Sequence, residues 1–226
     1  MHIGLIGGIG PAAQDYYVRC LIALFNRADR PLDMTIVHAD TGLLLANQVA
    51  DRRRQQADVF STLTERLARA GADCVAITSI AGHFCRDEFA ALSPLPVIDM
   101  VDAVAQEIEA TRLERVGILG TRTVMATHFY GGLGGATVIA PTDVELNTVP
   151  AAYVEMATTG KITTEQRDLF HAAARRMIDE AGATAIILGG TDLVLAFDTA
   201  DGIPVIDCAA IHARKIAEQA MADGSA

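Results

Sequence analysis

Apolar positions follow two alternating patterns along the chain. Short unbroken apolar runs predict strands at 2–7, 34–39, 73–78, 96–98, 116–119, 136–140, 184–189 and 204–206. Between several of them apolar residues recur at i, i+3 and i+4, the period of a helix with one buried face. Val59, Leu63 and Leu67 form one such stripe, Val101, Val104 and Ile108 another, and Gln166 to Ala181 a third. Strands that alternate with helices predict parallel sheets joined by right-handed crossovers. Runs such as 116–119 lack period-two alternation, as strands covered on both faces should.

The same order of elements occurs twice. Ile3-Gly4-Leu5-Ile6-Gly7, with Tyr17 beyond it, returns as Val116-Gly117-Ile118-Leu119-Gly120, with Tyr130 beyond it. Gly71-Ala72, leading to Ser79, returns as Gly182-Ala183, leading to Gly190. Pro96-Val97-Ile98-Asp99 returns as Pro204-Val205-Ile206-Asp207. The offsets are 113, 111 and 108 residues, so the spacing barely drifts. The fold expected is α/β: two similar lobes, each a mostly parallel sheet flanked by helices, related by a pseudo-twofold with a cleft between them. The expected division is 1–98 and 99–207, with a final helix in 208–226 packing back on the first lobe. Each repeated segment runs from a strand into a turn, where open α/β sheets place their ligands.

Composition narrows the function. With 226 residues, 51% hydrophobic and 20% charged, the chain can bury a full core. No apolar run approaches the roughly 18 residues of a membrane span, and the start lacks the pattern of a signal peptide, so a cytoplasmic location is expected. A formal charge of −10 argues against nucleic acid as a partner. It leaves room for a small carboxylate, because helix N-termini and one or two cations can make a local positive pocket. The four cysteines, Cys20, Cys74, Cys85 and Cys208, form no CxxC pair, so neither zinc nor a disulfide framework is implied. A homodimer is the expected assembly.

Several turns carry candidate chemistry. Gly7-Gly8-Ile9-Gly10-Pro11 follows a strand and opens a helix, so Gly8, Ile9 and Gly10 could present N–H groups to an anion or simply form a tight turn. A dinucleotide site is disfavoured, since Ala13 replaces the third glycine of the fingerprint. Thr78-Ser79-Ile80-Ala81-Gly82-His83 ends the third strand, and His83 is either a proton carrier or a structural hydrogen-bonder. Gly189-Gly190-Thr191-Asp192 ends its counterpart; Thr191 can donate to a carboxylate, and Asp192 reads as an acid/base group or a helix cap. Among Arg52-Arg53-Arg54, which the helix dipole disfavours at a helix start, one guanidinium (Arg52) is expected to turn toward a substrate carboxylate. Thr121 and Lys161 complete the expected binding set, with a plain surface lysine as the other reading of Lys161.

At these residues the chain resembles the aspartate/glutamate racemase family, the cofactor-independent amino-acid racemases. The markers are Gly4-Leu5-Ile6-Gly7-Gly8-Ile9-Gly10-Pro11, Gly71-Ala72-Asp73, His83, Thr159-Gly160-Lys161-Ile162, Leu188-Gly189-Gly190-Thr191-Asp192 and Pro204-Val205-Ile206-Asp207, spread over nearly the whole length. The resemblance implies a two-lobed isomerase in which one cysteine from each lobe removes or delivers the α-proton. It puts those cysteines at positions 79 and 190, in a Cys-Asn-Thr-x-His and a Gly-Cys-Thr-Glu pattern.

Here the two positions are Ser79 and Gly190, and the Asn-Thr pair is Ile80-Ala81. A thiol can be tuned to ionise near neutral pH, whereas a serine hydroxyl needs an adjacent base and glycine offers no side chain. Symmetric two-thiol racemisation is therefore excluded. Ser79, His83 and Asp192 are the expected catalytic residues, and Gly190 is expected to leave room for a bulkier substrate or a water. No metal or cofactor is implied, and the only lysines, Lys161 and Lys215, sit at no imine motif. The function expected is an isomerase acting on a small amino acid or carboxylate. A decarboxylase, lyase or hydrolase using the same residues, or a non-catalytic anion binder, remain alternatives.

Overall fold

The computed structural model describes residues 1–8 and 11–222. In chain order the first elements are β1 (Ile3–Gly7), α1 (Pro11–Arg27), β2 (Met34–His38), α2 (Thr41–Val49), α3 (Arg53–Arg69), β3 (Cys74–Ile77) and α4 (Arg86–Leu92). They are followed by α5 (Met100–Thr111), β4 (Arg115–Gly120), α6 (Arg122–Ala126), β5 (Thr137–Ile139), α7 (Glu145–Thr159), α8 (Thr164–Asp179), β6 (Ala185–Gly189), β7 (Val205–Ile206) and α9 (Cys208–Ala222). The chain forms two compact units, one containing Ala13–Met100 and the chain from Ala209 onward, the other containing Val101–Cys208.

The first unit holds a parallel sheet in the order β2-β1-β3. Every residue of β1 and of β3 is buried, which is why their sequences are continuous apolar runs rather than alternating ones. Tyr17, Leu21, Phe60, Leu67 and Phe89 supply the bulk packed around these strands. The segment expected as a strand at 96–98 makes only a single parallel bridge, Val75 to Val97.

The second unit repeats this order as β5-β4-β6-β7, all parallel. The internal repeat extends to register. Ile3 pairs with Cys74 in the first sheet, and the corresponding Val116 pairs with Ala185 in the second. Likewise Val75 faces Val97, as Ile186 faces Val205. Phe129, Phe170, Met177, Ile118 and Ile187 are buried in this unit. Helix α8 starts at a reciprocal cap in which Thr163 Oγ1 accepts from Gln166 N and Gln166 Oε1 accepts from Thr163 N.

One sequence expectation fails here. The pairing of Tyr17 with Tyr130 does not extend the repeat, because Tyr17 lies within the 17-residue helix α1 while Tyr130 follows the five-residue α6. His128, Phe129 and Tyr130 have φ of 50°, 61° and 58°. Left-handed backbone costs roughly 1–2 kcal/mol per non-glycine residue, and full burial of the Phe129 ring offsets part of it. Helix α7 contains Pro150, and its start is marked by a Thr-x-x-Glu turn in which Glu145 Oε2 accepts from Thr142 N and Thr142 Oγ1 accepts from Glu145 N. Among the described residues no helix is long and apolar enough to cross a membrane.

Candidate functional site

Parallel strands deliver the chain to the same edge of a sheet, so residues just past paired strand ends emerge side by side. In the first unit Ile6 pairs with Ile77, and Gly8 and Ser79 follow two residues later. Gly8 has φ +122°, and a Cβ there would lie within 2.9 Å of the Ala39 main chain. Its carbonyl accepts the Thr41 hydroxyl. Ile9 and Gly10 lie outside the described residues.

Ser79 is buried and precedes a 3-10 turn, Ile80–Cys85, that carries His83. His83 Nδ1 lies 2.8 Å from the Ser79 main-chain oxygen, and its Nε2 lies 3.3 Å from the Met100 main-chain nitrogen. A carbonyl can only accept and an N–H can only donate, so Nδ1 carries the proton and Nε2 is the acceptor. Both ring nitrogens are thus engaged by backbone. Of the two expected readings of His83, these contacts are those of the structural hydrogen-bonder, with its Nδ1 bond to the Ser79 carbonyl.

Beside it stands a second buried imidazole that the sequence did not single out. His212 Nδ1 is 2.8 Å from the Tyr17 hydroxyl and its Nε2 is 2.8 Å from the Ile98 oxygen. The two histidine rings meet edge-on at 6.2 Å between centroids. Burial, reinforced by neighbouring His83, pushes the His212 pKa down to about 3. Its only sequence signal is a histidine on the inner face of α9.

In the second unit Gly120 pairs with Gly189, so Thr121 and Gly190 leave adjacent strands together. Thr121 caps α6, its side chain accepting from Val124 N at 3.3 Å. Gly190 starts the 3-10 turn Thr191–Leu195 with no side-chain cap, so Asp192 is not the cap of that turn. Asp192 is fully buried, and its Oδ2 accepts from the Tyr153 hydroxyl at 3.4 Å. Burial, then the nearby Asp192 charge, raises the Tyr153 pKa well above that of an ordinary phenol. Thr191 is buried, and among the described residues none lies within hydrogen-bonding geometry of its Oγ1.

Gly190 does not leave the room expected of it. A Cβ at that position would fall 2.5 Å from Cζ and 2.9 Å from the hydroxyl oxygen of Tyr153. The space is filled by a phenol from α7.

The expected cations behave as surface groups. Arg52, Arg53 and Arg54 are all exposed. Arg53 pairs with Asp51 at 2.8 Å and Arg54 with Asp58 at 3.1 Å, while Arg52 occupies the N-cap position of α3. The helix-start carboxylates next to the arginines offset the unfavourable dipole, so no guanidinium has to turn inward. Lys161 is exposed between α7 and α8. The thiols are equally unpromising: burial pushes Cys85 up to about 12, and burial with adjacent Asp207 raises Cys208 well above its ordinary value.

The folded class is therefore an α/β protein with two parallel sheets flanked by helices, with Thr78, Ser79, Thr121, Thr191 and Asp192 buried just past strand C-termini. The profile of the Asp/Glu/hydantoin racemase family matches residues 6–216, and the chain belongs to that family. The chain is similar to a candidate Asp/Glu racemase from Yersinia pestis, with 27% identity, TM-score 0.84, and 98% of this chain and 100% of that one covered. An aspartate racemase homologue from Pyrococcus horikoshii OT3 matches at 26% identity and TM-score 0.80, covering 97% and 99%. The aspartate racemase of Picrophilus torridus shares the fold at 17% identity and TM-score 0.77, covering 98% and 95%.

Proposed function

We propose that this family member is an isomerase of a small amino acid or carboxylate that moves the α-proton without a thiol pair or a cofactor. Asp192 is the acid/base group on one face of the α-carbon, a solvent water exchanges the proton on the other, and the Ser79 and Thr191 hydroxyls bind the ligand. Gly8 contributes backbone, and Thr121 and Lys161 are the remaining binding candidates. The observation that carries the reading is the Asp192 carboxylate, buried at the end of β6 and hydrogen-bonded to Tyr153. A buried carboxylate is costly unless it is paired or used, and a positioned one is suited to proton transfer. His83 acts through its main-chain bonds, holding the turn after Ser79. A cytoplasmic homodimer is the setting proposed for this activity.

A second reading draws on the engagement of both His83 nitrogens. Racemisation needs a proton carrier on each face of the α-carbon, whereas decarboxylation or elimination needs only one. With Asp192 as the sole carrier, one-sided chemistry is the competing assignment.

The test is solvent deuterium exchange at the α-carbon over a panel of amino acids and 2-substituted dicarboxylates. Exchange with inversion of configuration is expected. Exchange or product formation without inversion selects the one-sided reading. Binding without exchange, seen by calorimetry, makes the chain a carboxylate binder and overturns both. Asp192→Asn is expected to lower the exchange rate at least about 100-fold, the scale of a lost acid/base group.

A further inference from the structure

We infer that Tyr153 is the positioning residue of the β6 strand end: its ring stands where a side chain at 190 would stand, and its hydroxyl fixes the carboxylate of Asp192. The second half rests on the reading of Asp192 as the acid/base group; the first does not.

Three observations converge on it. A Cβ built on Gly190 meets three atoms of one ring, including Cζ at 2.5 Å and the hydroxyl at 2.9 Å, so glycine and tyrosine are complementary in size. The backbone of Gly190 is extended, with φ −152° and ψ 121°, a conformation any residue adopts. The need for glycine therefore comes from the ring and not from backbone strain. Tyr153 is 4% exposed, and its hydroxyl reaches Asp192 Oδ2 at 3.4 Å. Since a phenol is the donor and a carboxylate only accepts, the bond selects the ionised carboxylate and its orientation.

The surroundings give the pair its importance. Asp192 is fully buried within the turn that follows β6, where a carboxylate without a donor would be costly. Tyr153 comes from α7, so the donor is carried on a helix and not on the turn itself. A group fixed from a rigid element holds its partner more precisely than a group on a loop. Tyr153 is thus assigned a role in placing the carboxylate, and not in exchanging a proton itself, because burial and the Asp192 charge keep the phenol protonated.

The size relation is tested by urea unfolding of Gly190→Ala, Tyr153→Ala and the double variant. Gly190→Ala alone is expected to lower the midpoint by about 1 M. In the Tyr153→Ala background the same change is expected to cost nothing further. Equal loss in both backgrounds, or no loss in either, would overturn the assignment of the space to the ring. Should Gly190→Ala fail to fold in the wild-type background and fold in the Tyr153→Ala background, the relation stands.

The positioning role is tested with Tyr153→Phe, which keeps the ring. Carbon-13 titration of the Asp192 carboxyl is expected to show its midpoint move upward, because a donor to the charged form is gone. Where a substrate exchanges, kcat is expected to fall about tenfold with KM within about twofold, and the acid limb of the rate profile to move with the carboxyl midpoint. An unmoved carboxyl titration refutes the role. If no substrate on the panel exchanges, the proposed function falls, while unfolding and carboxyl titration still decide this inference.

Discussion

The phenol of Tyr17 donates to Nδ1 of His212 across 2.8 Å, joining residues 195 positions apart. Nε2–H of His212 then donates to the Ile98 carbonyl, so both ring nitrogens are satisfied in the neutral imidazole. Protonation at Nδ1 would reverse the Tyr17 bond and place a charge in the core beside His83.

Acid stability follows from that arrangement. The folded pKa of His212, about 3, lies below the ordinary value of 6.5. The unfolded chain therefore binds a proton that the folded chain refuses between these values. Its contribution is fully present above pH 6.5 and is lost as pH falls toward 3, by up to about 1.4 kcal/mol per unit. Urea midpoints measured from pH 7 to 5, above most carboxylate titration, should fall in the wild type. The fall should be smaller in His212→Gln, which has no imidazole to titrate.

His83 carries a stability burden in place of a proton. Its removal leaves the Met100 N–H and the Ser79 carbonyl without their partner. His83→Ala should lower unfolding free energy by roughly 2–4 kcal/mol, the cost of stranded buried groups together with a core cavity. Equilibrium unfolding at pH 8 checks this. Stability equal to wild type would return His83 to the proton-transfer candidates.

Gly8 is expected to be irreplaceable for local reasons. Its φ of +122° disfavours any L side chain, and a Cβ would lie 2.8 Å from Ala39 N and 2.9 Å from Ala39 C. Both obstacles are backbone, which cannot rotate away. Gly8→Ala should cost at least about 2 kcal/mol, read as a fall in the thermal midpoint. A neutral substitution would mean that the turn after β1 re-forms with different dihedrals.

Strand positions were legible because each is a local event. Residues 34–39 and 184–189 were expected as strands, and Met34–His38 and Ala185–Gly189 are strands. Apolar runs between turn residues are nearly sufficient when both faces of a sheet are covered. The edge segment at 96–98 fell short of a strand because a single bridge to Val75 is all the pairing it has. Helix α7 was missed although Thr142 and Glu145 mark its start, because Pro150 within it argues locally against a helix.

Sequence alone determined the family, the repeated succession of strand segments, and the identities at positions 79 and 190. Those are properties of short stretches of chain, fixed by which side chains are apolar and which positions are glycine. Tertiary structure decided what those positions face. Whether Gly190 opens a space depends on a ring on α7, and whether His83 can take a proton depends on a backbone N–H at Met100. Partners 39 and 17 residues away share no local pattern with Asp192 and His83. They meet only because the packed elements bring them within hydrogen-bonding reach, and a polar group buried there must take the partner it is given.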